Sequence, residues 1–466
     1  MLYLKEKKIH DRYINMKKRE RCKHLLNFIA NLVTVLVEGG IFAYMWYTCY
    51  SENIIAPFFR RGNWAVVILY VLIVFFFTHM FGGYKIGYMR IMDIALCHTL
   101  SIICSSVVAY LEICIIARDY ANVFPIMMVC LAELIFVLPW VFIVRKLYVL
   151  LYPPRQMLVI YGNYSPDELT SKINTRKDKY NVCASISYLE GMDKLVETIE
   201  KYEAVVLYDL PAEVRNDIMK HCYKESVRVY VTPKISDIML RSADDIHLFD
   251  TPLLLSRNQG MTIVQSIAKR TMDIVIALIG IIIGAPFMII IALAVKLYDG
   301  GPILYKQPRL TKDGKEFMIY KFRSMSVDSE VKGARLAAKG DKRITPVGNI
   351  IRNIHFDELP QLFNILKGEM SVVGPRPERK VIAEQYLDEI PEFDMRLKVK
   401  AGLTGYAQVY GKYNTTPYDK LKLDITYIKN YSFWLDIKIL FLTFKILFQK
   451  ENTEGVDATQ TTAIKK

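Results

Sequence analysis

Residues 272–301 read MDIVIALIGIIIGAPFMIIIALAVKLYDGG, and how this run meets a membrane decides the fold. It is long enough to cross a bilayer, whose hydrocarbon core needs about 20 helical residues. A plain crossing would put everything after it on the far side. Residues 302–466 are rich in Lys and Arg, which favour the cytoplasmic side. Pro286 sits mid-run, after Gly284 and Ala285. A proline inside a helix removes one hydrogen bond and clashes with the preceding turn, so it kinks the helix. The expectation is a re-entrant helix, bent at Ala285 and Pro286, that enters one leaflet and returns.

Upstream lie four more apolar runs, roughly 25–49, 64–81, 91–117 and 124–148. Nine Lys and Arg within residues 1–23 set that end on the cytoplasmic side. The basic stretch runs into the first apolar segment without a small-residue cleavage site, so it does not read as a signal peptide. Four crossings return the chain to its starting side. Residues 1–150 are therefore expected to form a four-helix transmembrane bundle in the lipid bilayer. Composition agrees, since 52% hydrophobic and 23% charged residues over 466 positions suit neither a soluble chain nor one wholly in lipid. The net charge of +14 fits cytoplasmic segments and anionic lipid heads. No basic stripe with interleaved aromatics stands out, so nucleic acid is not an expected partner. The eight cysteines include no CxxC pair, which argues against a zinc or redox motif.

Residues 151–258 change character. MLVIYG, VCASIS, AVVLYD and RVYVT read as short apolar strands separated by polar helical stretches. That alternation predicts a parallel sheet with helices on its faces. In GNYSPDEL, Ser165 reads as a helix cap, Pro166 as the first helical residue and Glu168 as the partner in a capping box. The GxGxxG fingerprint is absent, so this is a nucleotide-fold-like α/β domain without the usual dinucleotide loop. Residues 259–450 add a hairpin, ILYKQPRL and EFMIYKFRSM around a Lys-Asp-Gly-Lys turn, and then mostly helical segments. WLDIKILFLTFKILF reads equally as a membrane-surface helix and as a core-facing one. Residues 451–466 are polar and read as a flexible tail.

The last domain also holds HFDELPQLFNILKGEMSVVGPRP, residues 355–377. Asp357 and Glu358 are adjacent, and on their own they read as well as a solvated acidic helix start. Context raises their interest. Arg352 lies five residues upstream, and Arg376 stands between two prolines that fix the backbone. Lys321 and Arg323 in YKFRSM add cations. A guanidinium fork suits phosphate. One carboxylate can attack phosphorus, and the other can hold Mg²⁺, a hard cation that takes oxygen ligands. His355 could serve as a base, although a packed or solvent-facing histidine is the commoner role. Two carboxylates, several cations and an upstream lipid-embedded helix suit phosphoryl transfer to a lipid, where positioning and charge neutralisation dominate.

These motifs resemble the bacterial sugar transferases, the polyprenyl-phosphate hexose-1-phosphate transferases, in their large form with an N-terminal membrane bundle. The resemblance runs through KRTMDIVIALIG, YKQPRLTKDGKEFMIYKFRSM, the 355–377 block, KAGLTGYAQVYGKYNT and DITYIKNYSFWLDIKIL. It implies transfer of a sugar 1-phosphate from a UDP-sugar to undecaprenyl phosphate on the cytoplasmic face of the bacterial inner membrane. UMP is released, and capsule, exopolysaccharide or O-antigen synthesis begins. It further implies Asp357 as the nucleophile of a phospho-sugar intermediate, Glu358 as the Mg²⁺ ligand, and Arg352, Arg376, Lys321 and Arg323 as phosphate-side groups. It admits a homodimer. Departures occur at Ala285, where relatives often carry serine, at His355 and Phe356 in place of Ser-Leu, and at Tyr406, Tyr410 and Lys412. They bear on the kink and on sugar or uridine contacts more than on the reaction class. Two rival readings remain. A membrane-anchored nucleotide-sugar dehydratase would need GxGxxG and a YxxxK pair, and only Tyr418 and Lys422 match the latter by spacing. A non-catalytic scaffold for polysaccharide assembly would leave the 355–377 block without a purpose.

Overall fold

The computed structural model describes residues 2–54, 57–248, 250–257, 260–326, 343–412 and 415–447, the side chains of 2–20 and Arg60 apart. The basic side chains before residue 21 and the tail 451–466 therefore lie outside the described residues. The chain divides into two compact units, Met1–Thr232 and Pro233–Lys466.

The first unit opens with four apolar helices. Helix α1 (Leu2–Met45) runs into a π-helical turn at Trp46–Tyr50. It is followed by α2 (Arg60–Phe81), α3 (Ile91–Ala117) and α4 (Phe124–Leu151). Helix α1 packs on α2 and α4, and α3 packs on the same two. All four are long and apolar enough to cross a membrane, and many of their large apolar side chains face outward. This is a membrane protein. Some polar groups between the helices are paired across them. The Tyr70 hydroxyl donates to Glu133 at 2.7 Å, and Trp46 Nε1 donates to Asn63 Oδ1 at 3.0 Å.

Strands β1 (Arg155–Tyr161), β2 (Tyr180–Ser187), β3 (Ala204–Tyr208) and β4 (Arg228–Val231) form one parallel sheet in the order β2-β1-β3-β4. Helices α5 (Asp167–Asn174), α6 (Met192–Ile199) and α7 (Ala212–Lys224) are the crossovers. Leu158, Ile160, Val205 and Leu207 are buried in the central strands. All four apolar stretches read from the sequence are strands. The predicted capping box does not form. Helix α5 begins at Asp167, Ser165 Oγ accepts from the Asp167 amide at 3.3 Å, and its hydroxyl donates to Asp167 Oδ2 at 2.6 Å. Glu168 pairs with Lys172 one turn on. The sheet layer is tied to the helices, since Arg145 of α4 pairs with Asp178 and also donates to the Ile86 carbonyl at 2.9 Å.

The second unit starts with α8 (Ile235–Arg241). Next come β5 (Asp244–Leu248) and β6 (Thr251–Leu255), which pair antiparallel. The sequence reading placed these residues in the α/β domain of residues 151–258. The link is too short for a parallel crossover, which needs a dozen residues or more. Helix α9 (Ile263–Asp299) then runs unbroken for 37 residues, about 55 Å at 1.5 Å per residue. A capping box of Thr262 and Gln265 starts it, and Gly300 in the left-handed region (φ 69°) ends it, with Pro286 inside. Both halves of α9 enter cores of this unit. Ala277 packs with Leu362, Ile365 and Val372, and Met288, Ile291 and Val295 pack with Phe322 and Ile351.

The predicted hairpin is present as β7 (Leu304–Leu310) and β8 (Glu316–Phe322). Helices α10 (Pro346–Asn353) and α11 (Gln361–Lys367), strand β9 (Ser371–Val373) and helix α12 (Lys380–Glu389) follow. A 3₁₀ helix (Pro391–Lys398) leads to β10 (Gly402–Thr404), which pairs parallel with β9. Helices α13 (Tyr406–Tyr410), α14 (Pro417–Lys429) and α15 (Phe433–Leu447) close the unit. Helix α15 turns one side into the core of the unit and leaves apolar residues on the other. Ile439 is core, while Phe433, Trp434, Phe444 and Leu447 are exposed.

Candidate active site

The two carboxylates stand on a turn that the backbone has to force. Thr345 caps α10 by accepting the Gly348 amide at 2.9 Å, and Pro346 occupies the first turn. The helix stops at Asn353, and His355 takes φ 58°. That region is uncommon for residues other than glycine, although His is among those enriched there. The reversal feeds a 3₁₀ turn, Phe356–Glu358, where successive side chains diverge by about 120°. Phe356 packs edge-on against Phe287, ring centroids 5.7 Å apart. Phe287 directly follows Pro286, so the apolar helix lies beside the acidic turn.

Lys321 arrives from β8. Asn364 of α11 holds that strand in place. Its Oδ1 accepts the Tyr320 amide at 3.0 Å, and its Nδ2 donates to the Met318 carbonyl at 2.8 Å. Lys321 Nζ then donates to Glu358 Oε1 at 2.6 Å. Arg376 comes from the loop after β9. Gly374 donates to the Thr404 carbonyl at 2.8 Å, and Gly402 donates to the Pro375 carbonyl at 2.9 Å. A Cβ on Gly374 would meet the Lys400 carbonyl oxygen at 2.4 Å, so only glycine allows this close approach. Arg376 Nη2 donates to Glu358 Oε1 at 3.0 Å.

The two acids thus differ. Glu358 is 15% exposed and carries two cations on one oxygen. Burial works against its charge, yet Lys321 and Arg376 outweigh that and hold the carboxylate well below its ordinary range. The Asp357 carboxyl has no hydrogen bond or ion pair among the described residues. Burial pushes it above its ordinary value, and the charge of Glu358 adds to this. Lys321, Arg352 and His355 oppose the shift without cancelling it. Arg352, in the last turn of α10, therefore acts on Asp357 through space.

Arg323 is not joined to this cluster. It is buried and paired with Asp299 at the end of α9. The Tyr406 and Tyr410 rings meet at a 40° tilt with centroids 4.4 Å apart. Tyr418 and Lys422 sit on α14, with the ammonium over the Tyr418 ring at 4.3 Å. Sequence reading missed Asn364, Arg396 and Asp424, polar residues buried in the second unit. Isolated Asn, Arg and Asp in polar helical segments carry no pattern that marks them.

A fixed carboxylate beside an uncommitted, raised one, ringed by Lys321, Arg352 and Arg376, suits attack on a phosphorus centre. The bacterial sugar transferase family matches residues 264–450. A UDP-N-acetylgalactosamine-undecaprenyl-phosphate N-acetylgalactosaminephosphotransferase of Aeromonas hydrophila is 35% identical over 307 residues, 63% of this chain and 67% of that protein. The UDP-glucose:undecaprenyl-phosphate glucose-1-phosphate transferase of Escherichia coli (strain K12) is 42% identical over 203 residues, spanning 42% of each chain. The undecaprenyl-phosphate galactose phosphotransferase of Salmonella typhimurium is 37% identical over 274 residues, 55% of this chain and 56% of that one. The chain belongs to the bacterial sugar transferase family. By that membership it is an enzyme of the phosphoglycosyl transferase class.

Proposed function

We propose that this chain transfers a sugar 1-phosphate from a UDP-sugar to undecaprenyl phosphate. The observation that carries this reading is the asymmetry of the acid pair, Glu358 pinned by Lys321 and Arg376 while Asp357 is unengaged. Asp357, ionised, attacks the phosphorus next to the sugar. The new acyl-phosphate bond replaces the bond between the two phosphates, and UMP leaves with the electron pair. A phosphate oxygen of undecaprenyl phosphate then attacks the same phosphorus and displaces Asp357. Arg352 and Arg376 neutralise the charge gathering on the phosphate oxygens.

Among the described residues no three His, Cys, Asp or Glu side chains gather as a metal site. Glu358 Oε2 takes no hydrogen bond among them. One open carboxylate oxygen fits Mg²⁺, which binds through one or two carboxylates and completes its shell with water and substrate phosphates. Held there, magnesium would neutralise the donor diphosphate.

In this reading residues 1–150 are a four-helix bundle, residues 151–258 an α/β domain, and residues 259–450 the catalytic domain on the cytoplasmic face of the inner membrane. Helix α9 is re-entrant. Supporting this, both of its halves pack into the catalytic unit itself. The test is UMP release by the purified full chain with undecaprenyl phosphate, Mg²⁺ and UDP-linked N-acetylgalactosamine, glucose or galactose. One donor should give UMP with wild type and none with Asp357→Asn. No release from any donor by folded protein, or release by Asp357→Asn, overturns the reading.

A further inference from the structure

The loop that presents Arg376 is held from behind by a buried pair that never touches Glu358. Arg396, in the 3₁₀ helix Pro391–Lys398, donates from Nη2 to the Arg376 backbone carbonyl at 3.0 Å. The same nitrogen lies 2.8 Å from Asp424 Oδ2 of α14, and Nη1 lies 3.6 Å from Glu378 Oε1. The Arg396 and Asp424 side chains are 6% and 2% exposed. The Arg396 guanidinium also sits over the Phe393 ring at 4.9 Å.

Burying a charged pair is costly, and apolar residues of the same volume often serve stability as well. A stability role alone gives this pair no reason to aim at a backbone carbonyl in the Pro-Arg-Pro loop. Prolines on both sides fix φ at 375 and 377, and the second narrows Arg376 to extended conformations, so the exact orientation of its carbonyl is the freedom that is left. Its orientation decides where the Arg376 side chain leaves the backbone, and hence whether Nη2 meets Glu358. The cavity beside Arg396, lined by Thr311, Pro375, Arg376 and Leu397, is about 40 Å³. At the ~10–15 Å³ each water needs, that is room for about three waters.

We propose that Arg396 is a positioning residue, braced by Asp424, which fixes the Arg376 backbone so that the Arg376 guanidinium reaches Glu358. The proposal rests on the phosphoglycosyl transferase reading for its kinetic arm only.

The test uses the full-length chain in detergent, with melting by circular dichroism to establish folding. Amide exchange at Gly374, whose N–H donates to the Thr404 carbonyl, is compared between wild type and Arg396→Met. It should quicken about 10-fold or more in the variant, whether or not any donor is turned over. Unchanged exchange overturns the proposal. In the kinetic arm, Arg396→Met should lower kcat/KM about 10- to 100-fold, the scale of a roughly 1 Å misplacement. Added to Arg376→Ala it should cost less than about 3-fold, because the group it positions is gone. Arg396→Lys should recover part of the loss. An equal loss with and without Arg376 marks a merely structural pair and overturns the proposal. Should Arg396→Met not fold, Asp424→Asn replaces it with the same comparisons. Wild type that releases no UMP defeats the functional reading, and the exchange arm still decides this one.

Discussion

Lys321 Nζ and Arg376 Nη2 converge on one atom, Glu358 Oε1, at 2.6 and 3.0 Å. The lysine arrives on a hairpin strand and the arginine on a loop 55 residues further on. Lys321 is the less exposed of the two, 22% against 49%, so its pairing is the less screened by water. Lys321→Met leaves a mostly buried carboxylate with one half-exposed partner. A lost charged hydrogen bond of about 2–3 kcal/mol corresponds to a fall in kcat/KM of roughly 30- to 150-fold. UMP-release kinetics check it, and near wild-type rates would remove Lys321 from the site.

In the proposed reaction Asp357 attacks in its ionised form, and its carboxyl is held above its ordinary value. Activity is thus lost as pH falls through that raised value, and the acid limb of kcat/KM should lie above the usual aspartate range near pH 4. Arg352 favours the ionised form. Its removal in Arg352→Met raises the value further, so the acid limb moves to higher pH while activity at high pH falls less. A limb that stays in place would separate Arg352 from Asp357.

Stability has its own buried pair. Lys269 of α9 lies 2.7 Å from Asp436 Oδ2 of α15, at 7% and 0% exposure, and the Tyr427 hydroxyl donates to Asp436 Oδ1 at 2.8 Å. Asp436→Ala strands a buried ammonium, which costs about 3–5 kcal/mol. Lys269→Met combined with Asp436→Leu should recover most of that. Thermal unfolding in detergent compares the two, and equal losses would show that the cost is not that of a stranded charge.

The re-entrant reading of α9 makes a topological prediction. Cys183 is exposed on β2, and Lys312 lies in the hairpin turn of the second unit. With the other cysteines replaced by serine, Cys183 and a cysteine introduced by Lys312→Cys should react with a membrane-impermeant maleimide from the same face. Reaction from opposite faces would make α9 a plain span.

What could be read beforehand was local. The apolar runs of α1–α4, the strands β1–β4 and the β7–β8 turn each carry their signal within a few consecutive residues. Asp357, Glu358 and Arg376 stood out because they share one short block. That Lys321 would bind Glu358, while Arg323 two residues on would be taken by Asp299, depends on pairings 37 and 24 residues apart. The left-handed turn at His355 is likewise set by the elements around it. Ser165 failed as a box cap for a smaller reason, since its hydroxyl found Asp167 before Glu168. Arg396 and Asp424 gave no signal, because a buried ion pair between two polar helices has no period.

Helix α9 brings a last consequence. Ala277, Met288, Ile291 and Val295 on that helix fill the interior behind the hairpin and the acidic turn. Its opposite side exposes Leu278, Ile279, Ile282 and Ile283. This apolar helix is therefore also the keel of the second unit. Cutting it away to obtain a water-soluble fragment would remove the central beam on which the hairpin, the turn and the Pro-Arg-Pro loop are mounted. Such a fragment should fail to fold, and under the proposed function lipid or detergent is part of the solvent in which this unit acquires its shape.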